Sequence, residues 1–280
     1  MFQENVSLAE YTSFKIGGKA KYFYIANNKE DLIKTIKEAK DLKVFILGGG
    51  SNVLALEEGY DGLVIKLNLR KYSFNNDIYV EAGVSWGELL GATVEKSLTG
   101  LEWTAGLPGT VGGAIYGNSQ AFHVKTSDII KEVEVLDLND LSIKALTDCQ
   151  FSEKNSIFKK NKNLIILSAV FKINKGDKKE IQKKIAENLQ FRKEKQPLGY
   201  ASAGSVFINN SDKPSSYLIE QAGLKGKRIG NAQVSEKHAG FIINLGGASS
   251  KDVLELISIV KKEVKDKFDI DLIEEIEIIC

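Results

Sequence analysis

Apolar residues along this chain recur with two periods, and their alternation predicts its elements. Residues 28–42 carry Leu32, Ile36 and Ala39 on one helical face, with Asn28 placed to cap and Asp31 three residues on. Val44-Phe45-Ile46-Leu47 reads as a buried strand, and Leu63-Val64-Ile65 as another. Ile78, Val80 and Ala82 alternate as a half-buried strand, and helical spacing returns over 86–96 through Leu89, Leu90 and Val94. Val133, Val135 and Ile143 mark short strands, and 164–173 is a longer, near-continuous one. The charged stretch 174–180 predicts a boundary. Beyond it Ile181, Ile185, Leu189 and Arg192 trace a helix that Pro197 ends. The final third predicts a short helix after Ser215-Ser216 closed at Gly223, a long helix over 250–268, and a closing strand over 270–279. Val253, Ile257, Val260 and Val264 form the buried stripe of the long helix. No long parallel βαβ array is present, so the expected class is α+β.

Two glycine clusters interrupt this pattern. Gly48-Gly49-Gly50-Ser51-Asn52 follows directly on a buried strand, and the second cluster is Gly106-Leu107-Pro108-Gly109-Thr110-Val111-Gly112-Gly113-Ala114. Glycine lets backbone N–H groups approach an anion that a side chain would block. A flexible spacer would lie between polar stretches, whereas Val53-Leu54 follows the first cluster at once. Neither the lysine of a Walker loop nor the GxGxxG fingerprint with its ribose-binding acid is present. Two separate loops suit a long anionic ligand, of which FAD is an example.

Composition narrows the class. With 280 residues, 43% hydrophobic and 27% charged, the chain can form two or three compact units. A net charge of +1 gives no electrostatic footprint for nucleic acid or an anionic membrane. No apolar run is long enough to span a bilayer, and the N-terminal segment with Glu4 and Glu10 does not read as a signal peptide. The two cysteines, Cys149 and Cys280, and two histidines, His123 and His238, make neither a disulfide framework nor a metal site. Cys149 reads as a small core residue. A cytoplasmic, monomeric protein is expected.

Three constellations could carry chemistry. In Ser202-Ala203-Gly204-Ser205-Val206-Phe207, Gly204 leaves room beside Ser205, which can serve as a proton donor or simply bond backbone. Arg192 and Lys195, three apart at a helix end, can meet a phosphate or complement the helix dipole. Glu274-Glu275 in the closing strand must send one carboxylate inward if that strand is covered.

These residues, together with further blocks, resemble the UDP-N-acetylenolpyruvoylglucosamine reductases, the MurB family, from end to end. The matching blocks are Thr12-Ser13-Phe14-Lys15-Ile16-Gly17-Gly18, the 47–52 loop, and the 100–114 segment with Asn118. They continue with Cys149-Gln150-Phe151, Asn155-Ser156-Ile157-Phe158, the 192–197 and 202–207 segments, and Ala222-Gly223-Leu224-Lys225-Gly226. His238-Ala239-Gly240-Phe241 and Glu275 complete the set. The resemblance implies a FAD-binding region of the PCMH or vanillyl-alcohol-oxidase type, made of two α+β subdomains (1–68 and 69–177), and a smaller α+β substrate domain (178–280). It implies non-covalent FAD, with the diphosphate held by Gly48, Gly49, Gly50, Ser51, Asn52, Gly106, Pro108, Gly109, Thr110, Gly112, Gly113 and Asn118.

The reaction it implies runs from NADPH to the flavin and then to C3 of the enolpyruvyl ether of a UDP-sugar, with Ser205 protonating C2. Glu275 and a cation would stabilise the enolate-like carboxylate, and Arg192, Lys195, Asn209 and His238 would bind substrate. The short stretch between Phe158 and Arg192 matches the shorter, type II form. Two departures stand out. Glu153-Lys154 replaces the Tyr-Arg pair usual in the family, so Lys154 keeps the charge but not the planar fork. Ile208-Asn209-Asn210 replaces the usual Lys-Asn-Pro, which removes a cation. The alternatives are another flavin oxidoreductase of this fold type and a weakened flavin- or sugar-nucleotide-binding homologue.

Overall fold

The computed structural model describes residues 2–209 and 213–280; Asn210 lies outside the described residues. Two compact units divide the chain. The first comprises Met1–Phe23, Gly50–Leu63 and Arg192–Cys280, and the second comprises Tyr24–Gly49 and Val64–Phe191. The strands Lys19–Ala26 and Tyr60–Leu67 and a helix, Lys178–Lys195, carry the chain from one unit into the other. Among the described residues no helix is long and apolar enough to cross a membrane.

In the second unit, helix α1 (Lys29–Glu38) is capped as expected, with the Asn28 side chain accepting from the Asp31 amide. The Asp31 carboxylate instead accepts from the Tyr24 hydroxyl at 2.7 Å and the Asn27 amide at 3.1 Å. The main sheet is antiparallel, in the order Ser142–Leu146, Ile130–Asp137, Leu164–Phe171, Ile78–Glu81, Tyr72–Phe74. Helix α2 (Trp86–Glu95) begins at Ser85, whose side chain accepts from the Glu88 amide. It buries Trp86 against Trp103 and Phe171. Helices α3 (Val111–Gly117) and α4 (Ile157–Lys160) follow in this unit. Cys149 is buried, and that burial pushes its thiol pKa up to about 11, as suits a core residue.

Helix α5 (Lys178–Lys195) forms where the periodicity placed it, but the residues of its expected face do not share one fate. Ile181 and Arg192 are buried, whereas Leu189 is 44% exposed. In the first unit, a four-stranded antiparallel sheet has the order Ala201–Ser205, Phe241–Asn244, Ala232–Val234, Arg228–Ile229. Helix α6 (Ser215–Gln221) and the long helix α7 (Ser250–Phe268) share its core. A capping box at Ser249 and Asp252 starts α7, and Val253, Ile257, Val260 and Val264 are buried along its stripe. Burying each such side chain stabilises by about 1.5–3 kcal/mol.

The closing strand is the one expected element that differs. Only Glu277–Ile279 is regular, paired parallel with Val53–Ala55. The preceding residues run beside 206–208 instead: Ile208 donates its amide to the Ile273 carbonyl at 2.9 Å, and Glu275 donates to the Val206 carbonyl at 2.7 Å. A segment that switches partners within a few residues cannot keep one ladder register. The alternation of isoleucines could not reveal that switch.

Candidate functional site

In the second unit Gly48 and Gly49, the start of the first glycine cluster, meet the second cluster. A Cβ on Gly48 would lie 2.8 Å from Thr110 Oγ1, and one on Gly49 would lie 2.5 Å from the Gly109 Cα. The loops therefore pack backbone on backbone, which any larger residue at position 49 would prevent. The first amides of α3 are already used. Val111 donates to the Val84 carbonyl at 2.9 Å, Gly112 to Ala82 at 2.8 Å, and Gly113 to Thr110 Oγ1 at 3.4 Å.

Among the described residues no hydrogen bond takes the Gly49 or Gly109 amide, so donors for an anion come from the touching loops rather than from the helix end. Gly113 is exposed, and a Cβ there would meet only Thr110 Oγ1 at 3.6 Å. Gly106 and Pro108 are exposed, whereas Gly112 is buried against Ala82. Close-packed loops, open amides and an open face suit the diphosphate of a dinucleotide.

Lys66 was not legible as a site residue. It lies in the strand Tyr60–Leu67 between buried Ile65 and Leu67, and its Nζ donates to the Gly48 carbonyl at 3.2 Å. Burial pushes its pKa down. The signal available was a lysine inside an otherwise apolar strand.

Asn118 and Lys154 belong to one small network. Asn118 is 2% exposed and left-handed (φ 43°) at the C-terminal end of α3. Its Oδ1 accepts from the Ser127 amide at 3.0 Å, and its Nδ2 donates to the Ser152 carbonyl at 3.0 Å. Ser152 and Asn155 exchange both backbone bonds, at 3.1 and 3.2 Å, leaving Glu153 and Lys154 as the corners of a tight turn. Lys154 has φ 51°, a left-handed geometry at the corner where such turns favour glycine or asparagine. Glu153 is held by Gln120 Nε2 and by Lys125 Nζ at 3.4 Å. The Asn118 amide group thus braces the turn that presents Lys154.

In the first unit the remaining blocks converge. The Ser13 amide donates to the Gly50 carbonyl at 3.0 Å, while Ser13 Oγ donates to the Ser202 carbonyl at 2.6 Å. Asn52 Nδ2 donates to the Glu275 carbonyl at 2.9 Å, and the Glu275 amide bonds the carbonyl of Val206, next to Ser205. Gly50, Ser51 and Asn52 are in this way tied to the strand of Ser205. That strand is bulged between Ser202 and Ser205, where Gly204 has φ 77°, a left-handed geometry that glycine adopts without strain. Ser205 is half-buried, and among the described residues its hydroxyl has no hydrogen-bond partner.

The two adjacent carboxylates separate. Glu274 pairs with Lys261 of α7 at 2.8 Å, and Glu275 is half-buried. Arg192 is 5% exposed, bonds Gln196 Oε1 at 3.4 Å, and has its pKa lowered by burial, whereas Lys195 is exposed. Asn209 Oδ1 accepts from the Ser215 amide at 3.1 Å and so takes up the first backbone N–H of α6. His238 Nδ1 accepts from the Gly240 amide at 3.2 Å, which leaves the ring proton on Nε2. Its pKa is lowered first by burial and further by Lys225.

A mixed α+β fold, a backbone cradle suited to a dinucleotide and a separate polar strand define a flavin-nucleotide-binding protein. Residues 20–144 match the family model described as FAD binding domain. Residues 196–279 match that of the UDP-N-acetylenolpyruvoylglucosamine reductase C-terminal domain. A UDP-N-acetylenolpyruvoylglucosamine reductase from Clostridium novyi is 41% identical over 99% of this chain and 92% of its own length. One from Fervidobacterium nodosum is 43% identical, over 98% and 90% respectively. The crystal structure of UDP-N-acetylenolpyruvylglucosamine reductase from Thermus caldophilus superposes over 100% of both chains, with a TM-score of 0.86 and 30% identity. The chain belongs to the UDP-N-acetylenolpyruvoylglucosamine reductase family, in its shorter form.

Proposed function

We propose that this protein reduces UDP-N-acetylglucosamine enolpyruvate to UDP-N-acetylmuramate with FAD and NADPH, a step towards peptidoglycan. The observation that carries the reading is the junction in the first unit. Asn52, from the first glycine cluster, donates to the Glu275 carbonyl, and the Glu275 amide bonds Val206, next to a Ser205 hydroxyl that has no hydrogen-bond partner among the described residues. Bound FAD would supply the hydride relay between NADPH and the enolpyruvyl double bond. Gly48, Gly49, Gly109 and Thr110 would hold its diphosphate, and Gly50, Ser51 and Asn52 continue the first loop.

Ser205 delivers the proton to C2, a role supported by a hydroxyl that is unbonded among the described residues. Glu275 and Lys154 act on the carboxylate end of the intermediate, Lys154 as a point charge where a guanidinium would give a fork. Arg192, Lys195, Asn209 and His238 bind the UDP-sugar, and burial keeps His238 neutral, a donor through Nε2. The protein acts as a cytoplasmic monomer, and the net charge of +1 supports the absence of a nucleic-acid partner.

Stopped-flow spectroscopy of the purified yellow protein tests this reading. Ser205→Ala should keep flavin bleaching by NADPH and lose turnover with the sugar nucleotide about 10²–10⁴-fold. Equal loss of both half-reactions would refute the role of Ser205. NADPH oxidation that ignores the UDP-sugar would refute the reaction.

A further inference from the structure

We infer that Lys66 is a positioning residue of the diphosphate cradle, holding the Gly48 carbonyl so that the Gly49 amide is fixed and polarised towards the anion. This rests on the FAD reading above. The Lys66 ammonium donates to the Gly48 carbonyl at 3.2 Å. The described peptide bonds include no cis bond, and in a trans peptide the C=O and N–H point in opposite directions. Gripping one therefore sets the direction of the other. The Gly48–Gly49 peptide is the one packed against Thr110 and Gly109, and no hydrogen bond among the described residues takes its N–H.

A cation on the carbonyl withdraws electron density through the peptide and makes that N–H a stronger donor, an effect enlarged where water is scarce. Lys66 is half-buried in an apolar strand. Keeping a charge there costs desolvation, and the cost is offset when an anion binds on the far side of the peptide. The neutral amides of the cradle carry no net charge of their own, so Lys66 also supplies part of the charge balance for a dianionic diphosphate.

The test titrates the deflavinated full-length protein with FAD and with riboflavin, which lacks the phosphates, following flavin fluorescence across a pH series. Lys66→Met should weaken FAD binding about tenfold or more, the scale of one charge-assisted hydrogen bond, and leave riboflavin binding unchanged. Lys66→Arg should restore FAD binding. The unmodified protein should lose FAD affinity in the alkaline range as Lys66 gives up its proton, and Lys66→Arg should not. Equal loss of FAD and riboflavin in Lys66→Met would make Lys66 a purely structural brace and overturn the proposal, as would unchanged FAD affinity. If Lys66→Met does not fold, the alkaline profiles decide, and identical profiles for the unmodified and arginine proteins overturn it. Failure of the unmodified protein to bind FAD at all would overturn the FAD reading itself.

Discussion

At the level of single residues, the polar groups of this chain differ in how far their hydrogen bonding is taken up. Asn118 is engaged on both sides, its carbonyl accepting from Ser127 and its amide donating to Ser152. Ser205 is open among the described residues. His238 lies between, with Nδ1 occupied and its pKa lowered mainly by burial. A histidine whose folded pKa lies below its unfolded value binds fewer protons in the native state. Stability therefore rises with pH between the folded value and about 6.5. Urea unfolding of the unmodified protein should lose stability on acidification through that window, and His238→Gln should flatten the loss. An unchanged slope would mean that His238 is not held neutral.

At the scale of elements, caps and close approaches separate what is structural from what serves a ligand. Ser249 starts α7 through a capping box, so Ser249→Ala should lower stability by about 1 kcal/mol in a urea melt without altering flavin binding. The glycines divide sharply. Gly49→Ala would drive a methyl group to 2.5 Å from Gly109 and part the loops, so flavin affinity should fall at least tenfold. Gly113→Ala meets no protein atom closer than 3.6 Å and lies in a helix. Its thermal stability should hold or rise by up to about 1 kcal/mol. Similar losses of stability in both variants would mean that the loops do not touch as described.

Periodicity and cap chemistry revealed α1, α2, α5, α6 and α7, because a helix writes its buried face and its ends into neighbouring residues. The closing strand predicted over 270–279 is regular only over Glu277–Ile279, because closely spaced isoleucines look alike whether or not a regular partner lies alongside. The Glu275 amide instead donates to the Val206 carbonyl, the Ile273 carbonyl accepts from the Ile208 amide, and the Glu275 carbonyl accepts from Asn52 Nδ2.

At the scale of the whole molecule, ligand binding should report on the fold as a unit. FAD at about a hundredfold excess over its Kd should stabilise the protein by about 2.7 kcal/mol and raise its melting temperature by several degrees. Calorimetry showing no shift would contradict a built flavin site. The α+β class, the helices, the two glycine clusters and, through ordered motif blocks, the family are all legible in the amino-acid order. Each of these depends on residues close in the chain or on motif order. Three-dimensional packing, by contrast, rests Gly49 on Gly109, lets Asn118 brace the Lys154 turn, and brings Lys66 to the Gly48 carbonyl. It also decided that the first unit gathers segments from the start, the middle and the end of the chain. These are contacts between residues from about 18 to over 200 positions apart. Such contacts are set by how buried faces pack against each other, and no local pattern of apolar and polar residues encodes them.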